Sequence, residues 1–230
     1  MKRMESKTKH RVGALLLAAL FAVLGSSTIA AANLQELVRE TQRGSDAGGQ
    51  MTMVWWMPHQ FWDEGLKANP GMTPEVRTQV LSGLADYTVI AMLRAKTGAG
   101  GLTEVQPKAE LLKNVRVEMN GKQIEPLPPE QVSPVAQLLL AQLKPAMAAM
   151  AGQIGAAMEF VVYPAKTADG TMLADALQSG VLRIKLYENT FNWRLPLGSL
   201  LPARTDKKTG EDFPGNFEFN PFTGDKLSIR

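Results

Sequence analysis

Apolar residues along this chain follow two rhythms, and the clearer is the period of two that runs from position 181 to 197. Leu182, Ile184 and Leu186 alternate with Arg183 and Lys185, and after Glu188-Asn189-Thr190 the residues Phe191, Trp193, Leu195 and Leu197 share one parity. Successive side chains of a strand point to opposite faces, so the pattern predicts two antiparallel strands with one buried and one wetter face. Two strands alone are marginal, and the rest of the chain must supply partners and a cover. Met51, Met53, Trp55 and Met57 share a parity and predict a strand ended by Pro58. Residues 87–95 are apolar on both parities, which predicts an inner strand covered on both sides. Asn120-Gly121 between 115–119 and 122–125 supplies the positive-φ pair of a type I′ hairpin turn. Residues 159–164 predict a further strand, and Asp169-Gly170 a turn.

The second rhythm is helical. Thr73-Pro74-Glu75 offers a capping hydroxyl, a proline at the first helical position and an acid in the first turn, ahead of Val76, Val80, Leu81 and Leu84 on one face. Residues 59–66 predict a short helical turn closed by Asn69-Pro70-Gly71, and Ser133-Pro134 predicts the start of a long helix through Leu138, Leu139, Leu140 and Leu143. Lys144-Pro145 should kink or split that helix, because proline removes a backbone donor. A membrane span over 135–162 competes with a buried covering helix, and Lys144-Pro145 and the glutamines argue against the span. Strands with hairpin connections and grouped helices predict an α+β domain on an antiparallel sheet, with an immunoglobulin-like sandwich as the nearest named alternative. The expected division is 1–32, a flexible lead-in 33–50, a main domain 51–202 and a tail 203–230.

The first segment changes the reading of charge. Lys2, Arg3, Lys7, Lys9 and Arg11 precede an apolar run from Val12 to Leu24 and the small-residue exit Ala30-Ala31-Ala32. These are the parts of a secretory signal peptide cleaved after Ala32, the alternative being a retained anchor. The whole chain carries 25 bases and 22 acids; losing five bases and one acid turns the net charge from +3 to about −1. The basic balance therefore belongs to the export segment and gives no argument for nucleic acid. With no cysteine, the exported chain, periplasmic or secreted, must be held by packing rather than disulfides. No cofactor motif is present, since Gly98-Ala-Gly-Gly101 fits neither phosphate-cradling glycine spacing.

Past Pro202 a repeat appears. Asp206-Lys-Lys-Thr209-Gly210-Glu211 recurs as Asn220-Pro-Phe-Thr223-Gly224-Asp225, and Gly215 to Leu227 resembles the second knuckle of a zinc ribbon. The resemblance places Asp206, Thr209, Asn220 and Thr223 where four cysteines would stand. None is a thiolate or imidazole, so it implies a ribbon shape whose metal has been lost.

His59 is the one histidine outside the export segment, so any triad or histidine metal cluster must use it. Asp63, four residues on, could face it across one helical turn, yet no nucleophile elbow or metal-binding histidine motif accompanies the pair. Trp56, His59, Trp62 and Asp63 are instead the candidate binding residues, because large aromatics are enriched where proteins meet partners; the alternative is a core role, with His59 packed on aromatics, since cores use the same side chains. Glu159, Asp169 and Asp175 single out no acid–base pair. The expected role is a non-enzymatic envelope module contacting a protein or an apolar ligand through an aromatic surface near His59. The alternative is a periplasmic hydrolase using His59 and Asp63.

Overall fold

A computed structural model describes residues 29–67 and 71–229, with 29–33 as backbone only. The basic and apolar stretches of the expected signal peptide, and the Asn69-Pro70 part of the turn after residue 66, lie outside these. The fold is α+β on antiparallel sheets. In chain order the elements are α1 (Ile29–Thr41), β1 (Gln42–Ala47), β2 (Gln50–Met57), α2 (His59–Lys67), α3 (Pro74–Leu84), β3 (Tyr87–Gly98) and β4 (Gly101–Thr103). Next come α4 (Lys108–Asn114), β5 (Val115–Met119), β6 (Lys122–Ile124), α5 (Pro134–Ala157), β7 (Glu159–Pro164), β8 (Gly180–Leu186) and β9 (Asn189–Leu195). The tail contributes β10 (Arg204–Thr205), β11 (Asp212–Phe213) and β12 (Ser228–Ile229).

The first sheet runs β1-β2-β3, and the other edge of β3 is shared by β4 and β7. Tyr87–Met92 pairs with β7 while Lys96–Gly98 pairs with β4. The second sheet is β6-β5-β8-β9. In β8 and β9 the expected alternation holds, with Leu182, Ile184, Leu186, Phe191, Trp193 and Leu195 buried. Their turn lies one residue earlier than the sequence suggests, because Leu186 pairs with Asn189 and Tyr187 takes a φ of 54°. Even-numbered positions of β2 and β3 meet the second sheet. Trp56 lies edge-on to Trp193 at 6.3 Å, Asn189 Nδ2 donates to Thr52 Oγ1 at 3.2 Å, and Arg94 pairs with Glu188 and stacks on Tyr187. The other face of β2 carries Trp55, which meets Phe61 of α2 and donates to Thr41 Oγ1 of α1. One continuous core runs from Leu34 to Leu197, whereas the buried Phe213 and Leu227 of the tail lie outside it.

Local signals set the caps. Thr73 accepts from Val76 N and Ser133 from Ala136 N, each followed by proline inside the helix. Asn120 and Gly121 take positive φ in the β5–β6 turn.

Two expectations are corrected. Residues 33–50 are not a flexible lead-in: Leu34 and Leu37 are buried, and the polar stretch 42–47 is an edge strand paired along its length with β2. An edge strand needs no apolar face of its own when a neighbour supplies the ladder, which is why composition hides it. Residues 33–41 are held by Glu40, whose carboxylate accepts from Gly198 N, Ser199 N and Ser199 Oγ. The second correction is in α5, which runs through Pro145 and breaks at Gly152, where φ is 56° and ψ −130°. The exposed Pro145 is accommodated with its ring toward solvent. After Gly152 the chain folds back so tightly that a Cβ on Gly155 would strike the carbonyl of Met147. No helix among the described residues is long and apolar enough to cross a membrane.

Candidate functional site

His59 opens α2 directly after Pro58 and is half-buried, but the aromatics around it face inward. Trp56 is 0 % exposed and Trp62 is 5 % exposed. Trp56 Nε1 donates to Thr88 Oγ1 at 3.0 Å, while Trp62 stacks edge-on to Phe61. Trp62 Nε1 meets no acceptor among the described residues. The expected aromatic surface is therefore interior, because β2 is covered on one side by the second sheet and on the other by α1 and α2. When both faces of a strand are buried, residue type no longer tells packing from contact.

Asp63 serves α2 and α3 rather than His59. Its carboxylate accepts from Arg77 Nε at 3.0 Å and from Arg77 Nη2, and it pairs with Lys67 at 2.7 Å. Partial burial pushes its pKa up, but the Lys67 and Arg77 hydrogen bonds outweigh that and hold it below the usual carboxylate range. No hydrogen bond joins His59 to Asp63 among the described residues, so the orienting contact of a triad is not assembled. The scattered acids are each engaged separately. Glu159 pairs with Lys144, Asp169 accepts from Thr167 Oγ1 and Thr171 N, and Asp175 accepts from Gln60 Nε2 and Leu177 N.

The tail repeat folds into two matching loops. In the first, Asp206 Oδ1 accepts from Lys208 N and Thr209 N, Gly210 N closes onto Asp206 O, and Thr209 Oγ1 accepts from Glu211 N. In the second, Asn220 Oδ1 accepts from Phe222 N and Thr223 N, Gly224 N closes onto Asn220 O, and Thr223 Oγ1 accepts from Asp225 N. The loops meet where Asn220 Nδ2 donates to Asp206 Oδ2 at 2.6 Å, with both residues buried. Among the four singled-out positions, the fold brings Asp206 and Asn220 together and leaves Thr209 and Thr223 exposed. The Asn220 hydrogen bond, followed by the Lys208 backbone N–H, keeps the Asp206 pKa below its ordinary value. Two oxygens already accepting three hydrogen bonds, one amide and two hydroxyls do not fit zinc, which wants thiolate or imidazole donors. Among the described residues no group of three or more His, Cys, Asp or Glu could hold a metal ion.

A surface the sequence did not single out lies beside β7. A groove of about 670 Å³ runs between α4, the proline-rich segment 126–129, α5 and the outer edge of β7. Its walls include Leu112, Leu127, Val132, Leu140 and Phe160, with Lys108 and Lys144 as cations. Val162 O accepts from Leu127 N at 2.8 Å and Phe160 O from Lys108 Nζ at 2.7 Å. Residues of an antiparallel strand direct N–H and C=O to the same side, so the N–H groups of Phe160 and Val162 also face the groove. Its trace in the sequence is slight: an apolar Leu127 between prolines, whose neighbours in space come from four separate segments. A second groove of about 700 Å³, between α1, residues 198–203 and the tail, is lined by Glu36, Arg39, Glu40 and Phe213. Its central carboxylate, Glu40, is consumed in holding residues 198 and 199.

No protein-family description, curated protein or solved structure matches this chain.

Proposed function

We propose that this chain is an exported envelope protein that works by binding, and that its contact surface is the groove beside β7. The observation that carries this is an apolar, open concavity of ligand-site volume whose strand-edge N–H groups, at Phe160 and Val162, meet no acceptor among the described residues. The hydrolase alternative loses support, because the Asp63 carboxylate is committed to Arg77 and Lys67. The test is a photo-crosslinking residue placed at Leu112 or at Leu140 in the native envelope, with Lys185 on the second sheet as control, and adducts mapped by mass spectrometry. Adducts at the two groove positions alone support the reading; equal labelling of Lys185, or none anywhere, refutes it. Export itself predicts a mature protein beginning at Asn33, readable by terminal sequencing.

We further infer that the tail is a metal-free ribbon in which the Asp206–Asn220 hydrogen bond does the cross-linking a metal would do. Support comes from the matching loops, whose backbone N–H groups converge on the side-chain oxygens of residues 206 and 220. Replacing Asp206, Thr209, Asn220 and Thr223 together by cysteine should create a tetrahedral thiolate site, seen as a cobalt absorption spectrum that zinc displaces. A folded four-cysteine chain that takes up no cobalt would sink the ribbon reading.

A further inference from the structure

We infer that the groove beside β7 takes an apolar chain ending in a single carboxylate, that is, a fatty-acid-like amphiphile. This rests on the groove being the contact surface and adds the chemistry of its occupant. The walls provided by Leu112, Leu127, Val132, Leu140 and Phe160 set an apolar body. The polar groups set the head. Lys144 is neutralised by Glu159 at 2.5 Å, whereas Lys108 pairs with no carboxylate among the described residues and bonds only the carbonyl of Phe160. An ammonium has three N–H groups, so two remain for an incoming acceptor. The lining thus carries one net positive charge.

The strand edge adds to the same bias. The carbonyls of Phe160 and Val162 are taken by Lys108 and Leu127, while the N–H groups of those residues face the groove. An extended peptide adding to an edge exchanges hydrogen bonds in both directions, and here each of the two edge carbonyls already accepts one hydrogen bond. The two edge N–H groups and the Lys108 ammonium are donors for an incoming acceptor, which suits a carboxylate. One unpaired ammonium with no arginine fork beside it suits a monocarboxylate better than a phosphate.

The test is calorimetric titration of the exported chain with decanoate and with 1-decanol, which share a chain and differ in the head. Decanoate should bind more tightly than the alcohol. Lys108→Gln should weaken decanoate about fivefold, as expected for a partly solvated ion pair, and leave the alcohol unchanged. Leu112→Glu, at a site exposed enough to spare the fold, should weaken both ligands at least about tenfold. If Lys108→Gln leaves decanoate untouched while Leu112→Glu still weakens both, the carboxylate assignment fails and the groove survives. If neither ligand binds, or Leu112→Glu changes neither affinity, the amphiphile assignment falls, while crosslinking at Leu112 and Leu140 decides the groove separately.

Discussion

Thr88 and Trp56 give a direct test of whether the tryptophan segment is core or contact. Trp56 is fully buried and its indole N–H has Thr88 Oγ1 as its acceptor at 3.0 Å, with Thr88 itself 6 % exposed. Thr88→Val keeps the shape of the side chain and removes the acceptor, leaving a buried donor unsatisfied. A stranded donor costs about 1–3 kcal/mol, so the variant should lose about 2 kcal/mol. For a domain of this size that corresponds to a fall in Tm of about 4–8 °C. In a Trp56→Phe background there is no N–H to strand, and Thr88→Val should then be nearly neutral. The double-mutant coupling should be about 1.5–2 kcal/mol, measured by urea unfolding followed in near-ultraviolet circular dichroism. A coupling below about 0.5 kcal/mol would mean that the indole finds water or another acceptor, and the claim that Trp56 belongs to the core would be wrong.

Other perturbations address the remaining joints. Asp206 has a lowered folded-state pKa, so its contribution to the tail is present above its ordinary value of 3.8 and is lost as pH falls through the lower folded value. Amide exchange at Lys208, Thr209 and Phe222 should therefore accelerate in acid below about pH 4, and Asp206→Asn should remove that pH dependence. Gly152→Ala should destabilise by about 1–3 kcal/mol, because a φ of 56° with ψ of −130° is open to glycine and strained for alanine. Pro145→Ala should instead raise Tm by restoring a helix hydrogen bond, and a drop would show that the ring is needed where it sits. Arg94→Lys should cost about 1 kcal/mol, since lysine keeps the charge near Glu188 but loses the guanidinium plane stacked at 4.2 Å on Tyr187; equal stability of the two forms would refute the stacking contribution.

Much of the fold was readable where the cause is local. The alternation in β8 and β9, the Asn120-Gly121 turn and the Thr73 and Ser133 caps each depend on a few adjacent residues. The failures share a different cause. Residues 42–47 look like linker because their order comes from β2, and Gly152 rather than Pro145 breaks α5 because proline tolerates a solvent-facing place in a helix whereas the chain reversal needs a glycine torsion. For Trp56 and Trp62 the sequence leaves core and contact both open, since an aromatic side chain serves a core and a contact surface equally well.

The sequence by itself determined the antiparallel α+β character, the repeat in the tail, and the lack of thiols that leaves packing and hydrogen bonds to hold the chain. Only the tertiary structure decided that all four tryptophans are buried, that Asp206 and Asn220 clasp each other across fourteen positions, and that a concavity opens beside β7. The reason is range. Propensity, capping and strand parity are set by neighbours within a few residues, whereas burial, pairing partners and pocket walls are set by groups far apart in the chain, whose meeting no short window records.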